Sequence, residues 1–240
     1  MRNLALPLML ALIVFVGAGA QAQSFTNGGF ETSQSPIGNF KVLYSGTTDS
    51  TFVTGWTVSD GVIAYTGTYW NAQEGTRSLN MNGGQSRVGV IYQDFATVPD
   101  NAYDVTFWIS ENPNVYDWVL YPQPVSLKVA AGAPSETTPA ASEIFSYNID
   151  DHSRAQYVAA TDSYIGIDWV QEVFSFVADN ATTRLTFSSA YSDRPGGGAL
   201  LDNVSVSAKE AAGTPELSSA SLLLLGLLPV GLAWRRRRRA

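Results

Sequence analysis

The sequence predicts an all-β protein built as a single β-sandwich, most simply a jelly roll. Three observations carry that expectation. From Ser24 onward short segments alternate apolar with polar residues, Gly, Asn, Pro, Asp and Ser separate those segments, and no stretch before Leu217 sustains a helical period. A strand that buries one face needs a second sheet to cover it, so about ten strands without intervening helices imply two packed sheets.

At the N-terminus, Arg2 precedes an apolar run from Leu4 to Val16, followed by Ala20-Gln21-Ala22, the small-x-small pattern that signal peptidase reads. Residues 1–22 are therefore expected to be a signal peptide cleaved after Ala22, its apolar core being short for a membrane span. The sandwich is expected over 23–206.

Its first strand candidates are Phe52 to Val58, Val62 to Thr66, Arg77 to Met81 and Val88 to Phe95. In AYDVTFWIS, Tyr103, Val105, Phe107 and Ile109 share one face, opposite Asp104, Thr106 and Ser110, with Trp108 a misfit on the polar side. In PVSLKVA, Val125, Leu127 and Val129 oppose Ser126 and Lys128. The Pro/Ser/Thr-rich stretch Ala130 to Ser142 reads as a loop inside the sandwich, because strands continue on both sides and neither half could close a sandwich alone. Glu143 to Ile149 and Val170 to Ala178 follow; then Leu185 and Phe187 oppose Arg184 and Thr186, and Val204 and Val206 repeat the pattern in NVSVS.

Residues 207–216 are small and polar without an apolar face, and read as a tether. Residues 217–234 are eighteen uncharged residues that as a helix would reach about 27 Å, barely the thickness of a bilayer's hydrocarbon core. The arginines of 235–240 would hold that end in the cytoplasm. Setting aside Arg2 and Arg235 to Arg239, the stretch from Ser24 to Pro215 carries 20 acidic and 8 basic side chains, a net of −12. Such a surface repels phosphate backbones, which speaks against nucleic acid and for divalent cations or neutral sugars. There is no cysteine, hence no disulfide, thiolate nucleophile or zinc-thiolate site.

The C-terminal layout of Pro215-Glu216, an apolar helix from Ser218 to Trp234 and the cluster Arg235 to Arg239 resembles the PEP-CTERM sorting signals of Gram-negative bacteria, with Leu217 where the commoner motif has a second proline. That resemblance implies processing near Pro215 and Glu216 by an exosortase, delivery to the cell surface or matrix, and a membrane anchor that is at least transient. The body, from Phe25 to Ser207, is similar to the choice-of-anchor C family, related to a plant cell-wall domain family of unknown function and to galactose-binding-like jelly rolls. The pieces that carry this are NGGFE at Asn27 to Glu31, GWTV at Gly55 to Val58, YWNAQEGTRSLNMNG at Tyr69 to Gly83, IYQDF at Ile91 to Phe95, YDVTFWISENP at Tyr103 to Pro113, and LDNVSV at Leu201 to Val206.

In galactose-binding-like jelly rolls the first and last strands run close together. Glu31 and Asp202, with Asn27 and Gly29 as further ligands, are on that basis candidates to hold one structural Ca2+, which takes six to eight oxygens; the alternative is that Glu31 lies at the surface and that Asp202 and Asn203 make turn or strand-end hydrogen bonds.

Sugar binding needs flat rings beside amides and carboxylates that bond hydroxyls in two directions. The loop GTYWNAQEGTR offers Tyr69, Trp70, Asn71, Gln73, Glu74 and Arg77; ENPNVYDWVLY offers Asn112, Asn114, Tyr116, Asp117, Trp118 and Tyr121. Catalysis has thin support, since His152 is the sole histidine, in IDDHSRA, and there is no G-x-S-x-G elbow. SDRPGGGAL lacks the Lys-Ser/Thr of a phosphate loop. The reading is thus an exported, non-catalytic surface or matrix protein that binds polysaccharide. The alternatives are a matrix protein that binds other proteins and, last, a polysaccharide-degrading enzyme.

Overall fold

The computed structural model describes residues 24–83, 88–114, 124–190 and 197–209. Ala22, Tyr116, Trp118, Pro215, Glu216 and the expected helix over 217–234 lie outside these residues.

Thirteen strands are described: β1 (Phe40–Tyr44), β2 (Thr57–Asp60), β3 (Val62–Thr66), β4 (Ser78–Asn80), β5 (Val90–Ala96), β6 (Ala102–Glu111), β7 (Val125–Gly132), β8 (Ala141–Tyr147), β9 (Gln156–Val158), β10 (Ser163–Ile165), β11 (Val170–Val177), β12 (Thr182–Ser189) and β13 (Ala199–Ala208). Two 3-10 turns, Thr48–Thr51 and Ile149–Asp151, are the helical elements among the described residues. One sheet has six strands in the order β1-β3-β4-β13-β6-β11, the other five in the order β2-β5-β12-β7-β8, and β9 and β10 form a separate hairpin. Every pairing between strands is antiparallel. The expected sandwich is the fold.

Alternation explains the layers. Tyr103, Val105, Phe107 and Ile109 of β6 are buried, as are Val125, Leu127 and Val129 of β7 and Leu185 and Phe187 of β12. Across the gap Phe107 meets Phe145 and Phe187 edge-on, at ring-centre distances of 5.1 and 5.4 Å. Trp56 packs on Phe187 and Phe30, and its indole N–H donates to the Asn27 carbonyl at 2.9 Å, so one core side chain ties the N-terminal turn to the five-stranded sheet. Each such ring contributes about 1.5–3 kcal/mol by leaving water.

Three strands escape the periodicity argument. On β1, Phe40 and Tyr44 point outward while Leu43 is buried, so both faces are apolar and no clean alternation shows. β9 and β10 have three residues each, too few to display a period. The strand expected over Phe52 to Val58 starts only at Thr57, because Phe52 caps a 3-10 turn and Gly55 takes φ +83° in the turn that follows.

The termini of the domain do run together. The Val204 N–H donates to the Gly28 carbonyl at 3.0 Å, and a Cβ at Gly28 would sit 1.7 Å from the Val204 carbonyl oxygen, so only glycine allows the approach. A bulge on β13 falls between Asp202 and Ser205, with Asn203 at φ +46°. Asp202 pairs with Trp108, next to the core pair Leu201 and Ile109, so ordinary alternation places it on the outer face of the sheet, where it is nonetheless fully buried.

Candidate functional site

Register places the site. Phe40 of β1 pairs with Thr66 of β3, and Thr66 pairs with Ser78 of β4. The loop 67–77 therefore leaves and re-enters the six-stranded sheet at one end. Two carboxylates from opposite ends of the domain hold that loop. Glu31 Oε1 accepts the backbone N–H groups of Thr76 and Arg77, each at 2.8 Å, and Oε2 accepts the Thr76 hydroxyl at 2.9 Å. Asp202 Oδ2 accepts the N–H groups of Gln73 and Glu74 at 2.7 and 3.1 Å, and Oδ1 that of Asn203 at 2.6 Å. Asn203 Nδ2 adds a bond to Gln73 Oε1 at 2.6 Å. Burial pushes the Asp202 carboxyl up to about 7, against the three backbone N–H bonds that favour its charged form.

Of the four residues expected to share a calcium ion, Glu31, Asp202 and Asn27 turn their side-chain oxygens to hydrogen-bond donors. The Asn27 amide donates to the carbonyls of Thr32 and Thr54 and accepts the Thr32 N–H, closing its own turn, while a Glu74 carboxylate oxygen lies against Gly29. Among the described residues no group of three or more His, Cys, Asp or Glu is placed to hold a metal ion. A cation needs oxygens converging on a point; here N–H groups occupy that role, and this arrangement does not fit the ion.

Beside the latched loop lies a face of aromatic rings. Phe40, Tyr69, Tyr164 and Tyr157 follow one another at ring-centre distances of 5.6, 5.7 and 5.2 Å. The outer two are half exposed, Phe40 at 51% and Tyr157 at 52%. The β9–β10 hairpin joins this face because the Tyr164 N–H donates to the Tyr69 carbonyl at 2.8 Å. Asn114 orients the inner pair, donating to the Tyr69 hydroxyl at 2.7 Å and accepting from the Tyr164 hydroxyl at 3.0 Å. At the rim, the Thr68 hydroxyl donates to Asn39 Oδ1 at 2.9 Å and the Tyr157 hydroxyl to Asp162 Oδ1 at 2.8 Å, with Asn39 Nδ2 3.5 Å from Asp162 Oδ2. A cleft of about 270 Å³ adjoins the rings, walled by Thr68, Trp70, Asn71, Thr76, Ser163 and Tyr164 among others. This combination can stack on an apolar ring face while amide, hydroxyl and carboxylate groups bond its edge.

The two clusters read from the sequence meet here, through Asn114 and Tyr69, but their members do different jobs. Trp70 is only 4% exposed and its indole N–H is spent on the Ser78 hydroxyl at 2.8 Å, so it is a wall rather than a platform. Arg77 lies 5.9 Å over the buried Tyr65 ring and against the backbone of Gly67, beneath the loop. Asn112 is buried and its Oδ1 accepts the Asn114 N–H at 2.8 Å, a turn contact. Asn71 lines the cleft and is exposed, as is Glu74. Sequence reasoning missed Asn39, Phe40, Tyr157, Asp162 and Tyr164, which come from segments far apart in the chain.

Two other places hold polar groups. On the outer face of the five-stranded sheet a cavity of about 210 Å³ is lined by Lys128, Glu136, Thr137, Arg184, Thr186 and Ser188 among others. There Arg184 grips both oxygens of Asp94, at 2.7 and 2.8 Å, and lies 3.8 Å over the ring of Tyr92. His152 stacks on Tyr147 at 4.4 Å, with Nδ1 3.4 Å from Asp168 Oδ2. Its neighbours disperse: Asp150 pairs with Arg154 and Asp151 accepts from Asn148, so the three consecutive side chains do not converge.

Several solved structures share parts of this architecture at low similarity. A carbohydrate-binding module solved with β-1,4-galactotriose, TmCBM61, is 14% identical at a TM-score of 0.44, over 78% of this chain and 99% of that one. The CBM22-1 xylan-binding domain of Xyn10C from Paenibacillus barcinonensis is 14% identical at a TM-score of 0.38, over 72% of this chain and 94% of that one. In sequence, halomucin of Haloquadratum walsbyi is 28% identical over 205 residues; these are 84% of this chain but 2% of halomucin's own length. Residues 23–207 match the family described as protein of unknown function DUF642, and the chain belongs to that family.

Proposed function

We propose that the protein is an exported, non-catalytic module that binds polysaccharide at the cell surface or in the extracellular matrix. The observation that carries this reading is the face formed by Phe40, Tyr69, Tyr157 and Tyr164, with Asn39, Thr68, Asn71 and Asp162 around it. Half-exposed rings cost solvation unless something covers them, and a pyranose presents an apolar face of ring C–H groups with hydroxyls at its edge. Export rests on the pattern ending at Ala22, and sorting by an exosortase on Pro215, Glu216 and the arginines that follow. Affinity electrophoresis of the purified protein through polysaccharide gels tests the binding: retardation lost in Phe40→Ala/Tyr157→Ala supports the reading, and no retardation in any gel refutes it. Intact mass together with cell fraction tests the sorting, a species ending near Pro215 supporting tail removal.

A second reading, a matrix protein that captures other proteins, draws on exposed apolar side chains at the sheet edges, Val173 and Val177 on β11 and Ile144 on β8. Protein capture that is lost on charging Val173 and Val177, without glycan binding, would favour it.

A further inference from the structure

We infer that the aromatic face selects neutral glycans and turns away uronate-bearing ones, and that Asp162 is the residue that sorts them; this rests on the glycan-binding reading above. The groups available to a ligand there are carboxylate, amide and hydroxyl oxygens, amide N–H groups and rings. No lysine or arginine is among the side chains that wall the cleft. The cations nearest in sequence are engaged elsewhere: Lys41 pairs with Asp49 at 3.3 Å and lies over Phe52, Arg77 is tucked against Gly67 and over Tyr65, and Arg154 pairs with Asp150 at 2.8 Å.

Asp162 sits at the edge of the exposed Tyr157 ring. Its Oδ1 takes the Tyr157 hydroxyl and its Oδ2 faces the Asn39 amide, which fixes the carboxylate at the rim. Its backbone is left-handed, at φ +48°, a conformation that side-chain-bearing residues adopt at some cost and that Asp and Asn tolerate best. A carboxylate accepts and never donates, so the hydroxyls of a neutral sugar satisfy its free lone pairs, whereas a uronate brings a like charge that no cation among the described residues of the cleft pairs. The acidic body, with 20 acidic and 8 basic side chains between Ser24 and Pro215, adds repulsion of the same sign over a longer range.

The test compares the full protein on soluble neutral glycans (β-glucan, galactan, mannan and xylan) with polygalacturonate and alginate, by affinity electrophoresis at low and moderate salt. Asp162→Asn and Phe40→Ala/Tyr157→Ala are run alongside, with near-UV circular dichroism confirming their folds. We expect at least one neutral glycan bound and both polyuronates excluded at low salt, with Asp162→Asn narrowing the preference by about tenfold. Polyuronate bound as tightly as neutral glycan, and lost together with it in the double alanine variant, would overturn the selection while leaving the glycan site standing. A preference unchanged in Asp162→Asn would overturn the role of that residue. Binding to no glycan, or binding indifferent to Phe40 and Tyr157, would remove the site and the inference together.

Discussion

Two regions of the molecule offer tyrosine beside carboxylate and amide or hydroxyl groups, and they are not equivalent. On the outer face of the five-stranded sheet the ring of Tyr92 is covered by the Arg184 guanidinium, 3.8 Å away, which Asp94 holds from both nitrogens. The aromatic face, the hydrogen bonds and the charges there already satisfy one another, and Asp94 raises the Arg184 pKa further. At the end of the six-stranded sheet Phe40 and Tyr157 keep about half their surface in water, and the bond from the Tyr157 hydroxyl to Asp162 holds only the edge of that ring. The difference teaches that aromatic content does not mark a site; an uncovered ring face does. The same contrast separates Trp70 from Phe40: Trp70 walls the cleft but is buried with its N–H spent on Ser78, whereas Phe40 is half exposed.

That contrast can be broken by substitution. The largest effect is expected from Trp70→Ala, which empties a buried site and strands the Ser78 hydroxyl. It should cost about 3–5 kcal/mol in denaturant unfolding. Phe40→Ala, at the exposed end of the row of rings, should leave unfolding within about 0.5 kcal/mol of the wild type. The next effect is on binding: losing one half-exposed anchor should weaken glycan binding by about 2 kcal/mol, near thirtyfold, while Tyr92→Ala leaves it unchanged. If Tyr92→Ala weakened binding as much as Phe40→Ala, the comparison would be reversed.

A smaller effect concerns the latch under the loop. The Asp202 carboxyl is raised from 3.8 to about 7 in the folded protein. A raised carboxyl means that the folded state binds the proton more tightly than the unfolded one. Its contribution is therefore complete below pH 4 and is lost as pH rises to about 7, with a slope of at most about 1.4 kcal/mol per pH unit. Asp202→Asn should flatten the stability profile between those limits, whereas an unchanged profile would assign the titration elsewhere. The smallest effect is expected from chelation: with N–H groups of residues 73, 74, 76, 77 and 203 filling the two carboxylates, EDTA should leave Tm unchanged. A drop in Tm restored by calcium would instead install the ion at Glu31 and Asp202.

The fold was largely legible because alternation survives wherever one face is buried, as in β6, β7 and β12. The site was legible in part. The loop 69–77 could be singled out from its residue types, and the approach of Gly28 to Val204 agrees with the expectation that the first and last segments adjoin. What Glu31 and Asp202 do there was not decided by residue type, since a carboxylate serves N–H groups and cations alike. Phe40, Tyr157 and Asp162 were invisible for another reason: an edge strand with two apolar faces and a hairpin of three-residue strands leave no periodic mark, and only the tertiary fold brings positions 40, 69, 114 and 157–164 to one surface.

The central claim is that the exposed rings, and not the covered one, bind polysaccharide. Its most direct test is the dissociation constant of the wild-type protein, Phe40→Ala/Tyr157→Ala and Tyr92→Ala for one retained neutral glycan, by titration calorimetry. The account predicts loss of measurable binding in the double variant and wild-type affinity in Tyr92→Ala; wild-type affinity in the double variant would contradict it.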